Sequence, residues 1–249
     1  MIIKATKISV PNFQSLVKRM LLMDSSVYIN IDQENTYSNV YIPSKDVVKS
    51  YSVQTPDVFQ FSSPIEKTIK MSFFSGQKLL SSIAYFDPHN LSADISVFED
   101  GDELFADKIT LSDGRLKIDL FCQDQSLGFT YLSEDQVGRA LDKSSKEFSF
   151  TFPREDLIRI GSMLSMDQSE LFQIYADSEG VHIKTEVFDL VVDDKVKFDE
   201  PGTEPKSTFK SFVSRIDKEN YDVTVCSSKL ILDSTESATK VAMNLAITE

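Results

Sequence analysis

Tryptophan is absent from this 249-residue chain, cysteine and histidine occur twice each, and glycine only eight times. Each scarcity removes a class of chemistry. His89 lies in a Pro-Asn turn and His182 beside a glycine turn, and Cys122 and Cys226 are far apart, so no Cys/His cluster has the spacing of a zinc site. The few glycines form neither a phosphate-binding loop nor a dinucleotide fingerprint. The acidic residues do not recur at calcium-loop spacing. A Ser–His–Asp site would have to be built on His89 or His182, and no nucleophile motif supports one. The expectation is a protein that is not an enzyme and needs no cofactor or metal. Both cysteines sit in strand-like runs and read as reduced, buried thiols. No apolar run approaches the ~20 residues that span a bilayer. Lys4 and Lys7 interrupt the apolar start, and no small-residue cleavage site follows. A soluble, intracellular protein with no membrane partner is expected.

Acid is what the chain has in excess. It carries 39 Asp and Glu against 26 Lys and Arg, for a formal charge of −13. Such a surface does not wrap nucleic acid nonspecifically all round, although a local basic face remains open. The pairs Glu99-Asp100, Glu155-Asp156 and Asp193-Asp194 read as solvated faces rather than catalytic dyads. With 41% hydrophobic residues the chain can bury a sizeable core, in one or two domains.

The clearest local pattern spans residues 147–198. A strand-like run Phe148–Phe152 ends at Pro153, which has no N–H for a ladder and suits the first turn of a helix. Glu155 and Asp156 follow where the helix dipole favours negative charge. Leu157, Ile160, Gly161 and Leu164 then recur at helical spacing, with Arg159 and Ser162 on the other face. Strands are expected at Leu171–Ala176, Val181–Val187 and from Leu190, with Gly180 in the first turn. The order strand, helix, strand meander recurs at 2–53, 66–122 and 207–248, giving four weak copies. Helices are expected at Phe13–Met23, Gln77–Phe86 and Phe209–Ile216. The stretch Ser50–Pro64, with two prolines and several serines, reads as a surface connection. Residues 123–146 lack a strand period and read as a connector with a helical turn at Glu134–Leu141, joining a domain at 1–122 to one at 147–249.

Each expected helix buries an apolar stripe and turns basic side chains outward. The first offers Lys18 and Arg19, the second Lys78 and the third Arg159. The fourth offers Lys210, Arg215 and Lys218 over an inner face of Phe209, Phe212, Val213 and Ile216. If the copies are arranged alike, these faces form one surface suited to phosphate rather than to base edges.

In this layout the chain resembles the DNA sliding clamps, the polymerase processivity factors, and most nearly the trimeric clamps of T-even-like tailed phages. The resemblance is carried by FPREDLIRIGSML followed by LFQIYADSEGVHIKTEVF, by NYDVTVCSSKLILDSTESATKVAMNLAITE, and by the layout of IIKATKISVPNFQSLVKRMLLMDSSVYI. It implies an α+β fold of duplicated β-α-β-meander units, two similar clamp domains per chain, and a homotrimeric ring lined by helices. Double-stranded DNA would pass through the hole, with Lys18, Arg19, Lys78, Arg159, Arg215 and Lys218 facing it and Lys4, Lys7 and Lys210 nearby. The partners implied are a DNA polymerase and an ATP-dependent clamp loader. Their peptides would dock beside the connector and C-terminus, on Leu127, Phe129, Tyr131, Leu132, Ala246 and Ile247, with Tyr37 and Val40 as the other wall. The subunit seam implied joins Arg115–Cys122 to Leu190–Phe198 of a neighbour. The compartment implied is the cytoplasm, that of an infected bacterial host if the chain is phage-encoded. A second class fits the same composition: an acidic, β-rich virion structural protein, or a DNA mimic whose working face is Asp and Glu.

Overall fold

The computed structural model describes residues 1–42, 47–123, 132–166, 168 and 170–246. Two compact units are present: Met1–Val40 with Ser50–Tyr131, and Tyr41–Lys49 with Leu132–Glu249.

In chain order the first unit contains β1 (Ile2–Ile8), α1 (Val10–Leu21), β2 (Val27–Ile31) and β3 (Asn35–Ile42), the last two residues of which belong to the second unit. β4 (Val47–Gln54) is likewise divided, joining the first unit from Ser50 onward. Then come α2 (Thr55–Val58), β5 (Phe59–Phe61), β6 (Ile69–Phe73), α3 (Gly76–Ile83), β7 (Ser92–Asp100), β8 (Glu103–Ser112) and β9 (Lys117–Phe121). Helix α1 starts at Val10, earlier than its periodicity suggests, because Pro11 fits the first turn, where no N–H is required. It buries Phe13, Leu16, Val17 and Met20. Helix α3 is capped by Ser75, whose Oγ accepts from Lys78 N at 3.2 Å. A side chain at Gly76 would collide with Val27 and Leu21, so glycine lets α3 seat directly on α1 and β2.

The strands of this unit run in the order β3-β2-β6-β8-β7-β1-β5. Long β8 pairs with β7 along one edge. On its other edge it takes β6, in parallel, at Leu104–Phe105 and then β9 at Lys108–Ser112. The stretch Ser50–Pro64 is not a surface connection: it supplies part of β4, then α2 and β5. Pro56 sits in the first turn of α2 and opens the helix. Val58 and Phe59 are buried, and the Phe59 ring meets Phe13 edge-on at 5.3 Å.

The second unit contains α4 (Glu134–Ala140), β10 (Lys146–Phe152), α5 (Arg154–Leu164), β11 (Leu171–Ala176), β12 (Val181–Lys184), β13 (Asp189–Asp193), β14 (Lys206–Phe209), β15 (Tyr221–Cys226), β16 (Lys229–Ser234) and β17 (Thr239–Asn244). One set of strands runs β10-β15-β16-β17 and the other β13-β12-β11-β14. Phe148, Phe150 and Phe152 alternate inward and are all buried, as period 2 requires. Leu157, Ile160 and Leu164 of α5 are buried with them.

The helix expected at Phe209–Ile216 is only a 3-10 turn, Lys210–Phe212. Its hydrogen bonds reach three residues, from Val213 N to Lys210 O and from Arg215 N to Phe212 O. Ser214 Oγ donates to Ser211 O at 2.7 Å, a side-chain bond of the kind that competes with helix. Phe212, Val213 and Ile216 are buried as their spacing requires, but Phe209 is held in β14 opposite Leu171 and is part-exposed. The strand–helix–meander order is thus regular three times, at β1–α1, β6–α3 and β10–α5, and degenerate in the fourth copy.

Candidate nucleic-acid interface

In the first unit Lys4 and Lys7 are exposed on β1, Lys18 on α1 and Lys78 on α3. Arg19 is half-buried, with its guanidinium 4.7 Å from the centre of the Tyr51 ring. That stacking orients the side chain while leaving it charged. Helices α1 and α3 pack against one another.

In the second unit Arg159 is exposed on α5, on the face opposite Leu157, Ile160 and Leu164. Residues 209–218 and α5 enclose a groove of about 920 Å3 walled by Ile158, Gly161, Leu164, Phe209 and Val213. Lys210 and Lys218 both line it. Lys210 Nζ donates to Leu164 O at 3.1 Å, at the end of α5, and Lys218 Nζ donates to Val213 O at 2.8 Å. Cations suit such carbonyl-rich ends. Burial holds the Lys218 ammonium below its ordinary value. Arg215 is half-buried. The regular helix thus presents its arginine to solvent, whereas the two lysines after β14 also brace the local backbone.

Among the described residues five strands, β5, β9, β10, β13 and β14, pair with one neighbour only, and β9 and β13 are the two within the segments read from sequence as a seam. β9 pairs only with β8, and β13 only with β12. Along β9 the residues alternate exposed and half-buried, and the Phe121 ring is 77% exposed. Leu116 and Val191 are also exposed. Asp119, on β9, accepts from Thr110 Oγ1 at 2.7 Å and from Lys108 Nζ at 3.1 Å, and these bonds lower its pKa. The regular strands are shorter than the segments 115–122 and 190–198 read from sequence. Bare edges carrying apolar side chains are templates for a further strand.

Of the expected docking residues, Tyr37 is half-buried and Val40 buried on β3. Leu132 is half-buried against a cluster of Val48, Cys226, Ile231 and Ala242, beside Tyr41, Ala140 and Leu141. Ala246 is half-buried, and its N–H donates to Ser207 O at 2.9 Å. Leu127, Phe129, Tyr131 and Ile247 lie outside the described residues. The expected helical turn is α4, opened by a capping box between Ser133 and Gln136. It ends on Lys229 Nζ, which donates to Arg139 O at 3.0 Å and Ala140 O at 2.9 Å. Sequence reasoning missed Val48 and Tyr41 because they lie far from residue 132 in the chain.

Both ring nitrogens of His182 face aspartates, and His89 is in an exposed turn. Cys122 and Cys226 are free thiols, and burial pushes Cys122 up to about 12, far from a reactive thiolate. No group of three or more His, Cys, Asp or Glu among the described residues is placed to hold a metal ion. No helix among them is long and apolar enough to cross a membrane.

No protein-family profile matches this sequence, and no curated protein matches it. Solved structures do. PCNA of A. fulgidus, bound in that structure to the C-terminal region of FEN-1, superposes with a TM-score of 0.64 over 99% of both chains at 9% identity. PCNA of Thermococcus kodakaraensis superposes with a TM-score of 0.62 at 12% identity, over 98% of this chain and 99% of that one. Side-chain likeness is almost gone at such identities, yet the α+β architecture is shared from end to end: this chain has the fold of the PCNA sliding clamps.

Proposed function

We propose that three copies of this chain close into a ring around duplex DNA and tether a DNA polymerase for processive synthesis, after placement by an ATP-dependent clamp loader. The observation that carries this reading is that β9 and β13, two of the five end strands among the described residues, carry exposed apolar side chains, Phe121 and Val191, in a chain of clamp fold. A head-to-tail joint between two different edges repeats, and it closes into a ring if the rotation permits. Exposed Lys18, Lys78 and Arg159 support a DNA-facing lining, with Arg19, Lys210, Arg215 and Lys218 beside them and Lys4 and Lys7 nearby. Weak, register-free attraction to phosphate lets such a ring slide, and the acidic remainder discourages DNA from the outer wall. The clamp needs no catalysis, because tethering is its whole effect.

Polymerase and loader peptides dock, in this reading, near Leu132, Ala246, Tyr37 and Val40, together with Leu127, Phe129, Tyr131 and Ile247. A few apolar anchors suffice for such an interface. The likeness to phage clamps would set the work in the cytoplasm of an infected bacterium. The test is topological. A solution mass three times that of the 28.1 kDa chain is expected, with retention on circular duplex DNA that is lost when the circle is cut. A monomer that binds circular and linear DNA alike would refute the ring.

A further inference from the structure

In the first unit helix α1 packs against helix α3. The second unit has α5, but the segment after β14, which stands where the repeat calls for another helix, winds only at Lys210–Phe212. A groove of about 920 Å3 is left beside α5. Its walls are apolar, with Ile158 and Leu164 from α5 and Phe209 and Val213 from the other side. Ile158 is 45% exposed and Phe209 37%. Gly161 gives the groove its depth. A Cβ there would stand 3.5 Å from Val213 Cγ1 and 3.8 Å from Lys218 Nζ, both ordinary contacts, so a longer side chain has room to reach into the groove. The serine hydroxyls beside it are turned to backbone: Ser162 Oγ donates to Ile158 O at 3.2 Å and Ser165 Oγ to Ser162 O at 2.6 Å. Lys210, Lys218 and Glu170 carry the charge of the lining.

We propose that this groove is a docking site for an amphipathic helical segment of a partner protein, one whose apolar face is flanked by Asp or Glu. The proposal goes beyond the ring reading and does not need it. Where both hold, the segment and DNA draw on the same two lysines, and docking belongs to the chain free of DNA.

Lining and charge together select the occupant. A helix laid into a groove offers apolar side chains at i, i+3, i+4 and i+7, and aliphatic and aromatic walls are what such side chains bury against. Duplex phosphates would leave Ile158 and Phe209 wet. The lysines select the flanking charge. Lys218 Nζ spends one of its three N–H donors on Val213 O at 2.8 Å, and desolvation lowers its pKa with no carboxylate acting against it among the described residues. The residue as a whole is exposed, so its ammonium is folded back on the backbone within reach of the groove. A carboxylate arriving there makes a charge-assisted hydrogen bond and offsets that desolvation. Lys210 Nζ, 3.1 Å from Leu164 O, adds a second cation. Glu170 is exposed and opposes them, one anion against two cations. The chain at large has a formal charge of −13, so an acidic segment is repelled by the general surface and drawn to where cations gather.

The probe is a fluorescein-labelled peptide of about 14 residues, near the shortest length at which an isolated helix holds, with Leu at steps of three and four and Glu on the flanks. Anisotropy follows its titration with the full chain. Saturable binding is expected, and the same peptide with Lys in place of Glu should bind at least ~10-fold more weakly. Gly161→Leu fills the groove from within. It should weaken binding of the Glu peptide at least ~10-fold while the melting point holds or rises, because leucine forms helix better than glycine. Lys218→Met should weaken it by ~10-fold and flatten its salt dependence. No saturable binding, equal affinity for the two peptides, or native affinity in Gly161→Leu overturns the proposal. Dodecanoate and a short DNA duplex are run in parallel. If one of these binds the native chain and not Gly161→Leu, while the Glu peptide binds neither, the groove belongs to a lipid-like anion or to DNA and the proposal fails. A monomeric chain that still binds the Glu peptide would keep the docking site without the ring, and a trimer that ignores the peptide would keep the ring without the docking site.

Discussion

Replacing Phe121 with alanine should dissolve the proposed ring while leaving the folded chain alone. The side chain stands at the end of β9 and is 77% exposed. An aromatic side chain presents roughly 200 Å2, so about 150 Å2 of it is available for burial in a seam. At about 25 cal/mol per Å2 that is an upper figure of ~4 kcal/mol. Alanine keeps its Cβ, and a seam leaves part of the ring wet, so the expected loss is about 2 kcal/mol per seam, or ~30-fold in its dissociation constant. A closed ring of three has three such seams. The summed loss of ~6 kcal/mol moves the half-assembly concentration of a trimer upward by about 100-fold. Sedimentation equilibrium over a dilution series reads this directly. The melting point of the dilute monomer should stay put, since surface changes are usually worth less than ~0.5 kcal/mol. An unchanged assembly midpoint in Phe121→Ala, alongside a native chain that does form trimers, would remove β9 from the seam. A lowered monomer melting point would instead assign the ring an intramolecular role and refute the reasoning.

Lys49 is fully buried, and its ammonium lies 2.9 Å from Asp217 Oδ2 in an ion pair rather than a well-aligned hydrogen bond. Lys49→Met should destabilise the protein by about 3 kcal/mol by removing the buried cation beside Asp217, and Lys49→Met with Asp217→Leu should recover most of that loss. Urea denaturation separates the two, and a double variant no better than the single one would show that the pair is not the source. Lys18→Glu with Arg159→Glu reverses two exposed charges, so the melting point should hold while DNA retention falls, more at low salt than at high. Retention equal to the native chain across the salt range would turn these faces away from DNA.

Local patterns made much of the fold legible. Phe13, Leu16, Val17 and Met20 are separated by helical steps, and they are buried on α1. Phe148, Phe150 and Phe152 are separated by strand steps, and they are buried on β10. β2 and β11 begin and end where their alternation and turns put them. The basic faces were readable for the same reason, since a residue off the apolar stripe of a helix points to solvent. That holds for Lys18, Lys78 and Arg159.

What failed to show in the sequence depends on contacts between distant residues. Prolines in 50–64 signalled a loop, but Pro56 only opens α2, and the ring of Phe13 draws Phe59 into the core. The apolar spacing of 209–216 signalled a helix, but the pairing of Phe209 with Leu171 in the β-ladder keeps the segment from winding. Lys210 and Lys218 were readable as basic residues, not as donors to Leu164 O and Val213 O. Val48 and Leu132 share a cluster that no local period relates. His182 looked like any histidine beside a turn until the β11–β12–β13 ladder brought Asp177 and Asp189 to its two nitrogens. Periodicity reports which way a side chain points from its own backbone, and that much the chain carried by itself. Which group it then meets is set by strand register and by the closing of long loops, and only the tertiary structure decided those.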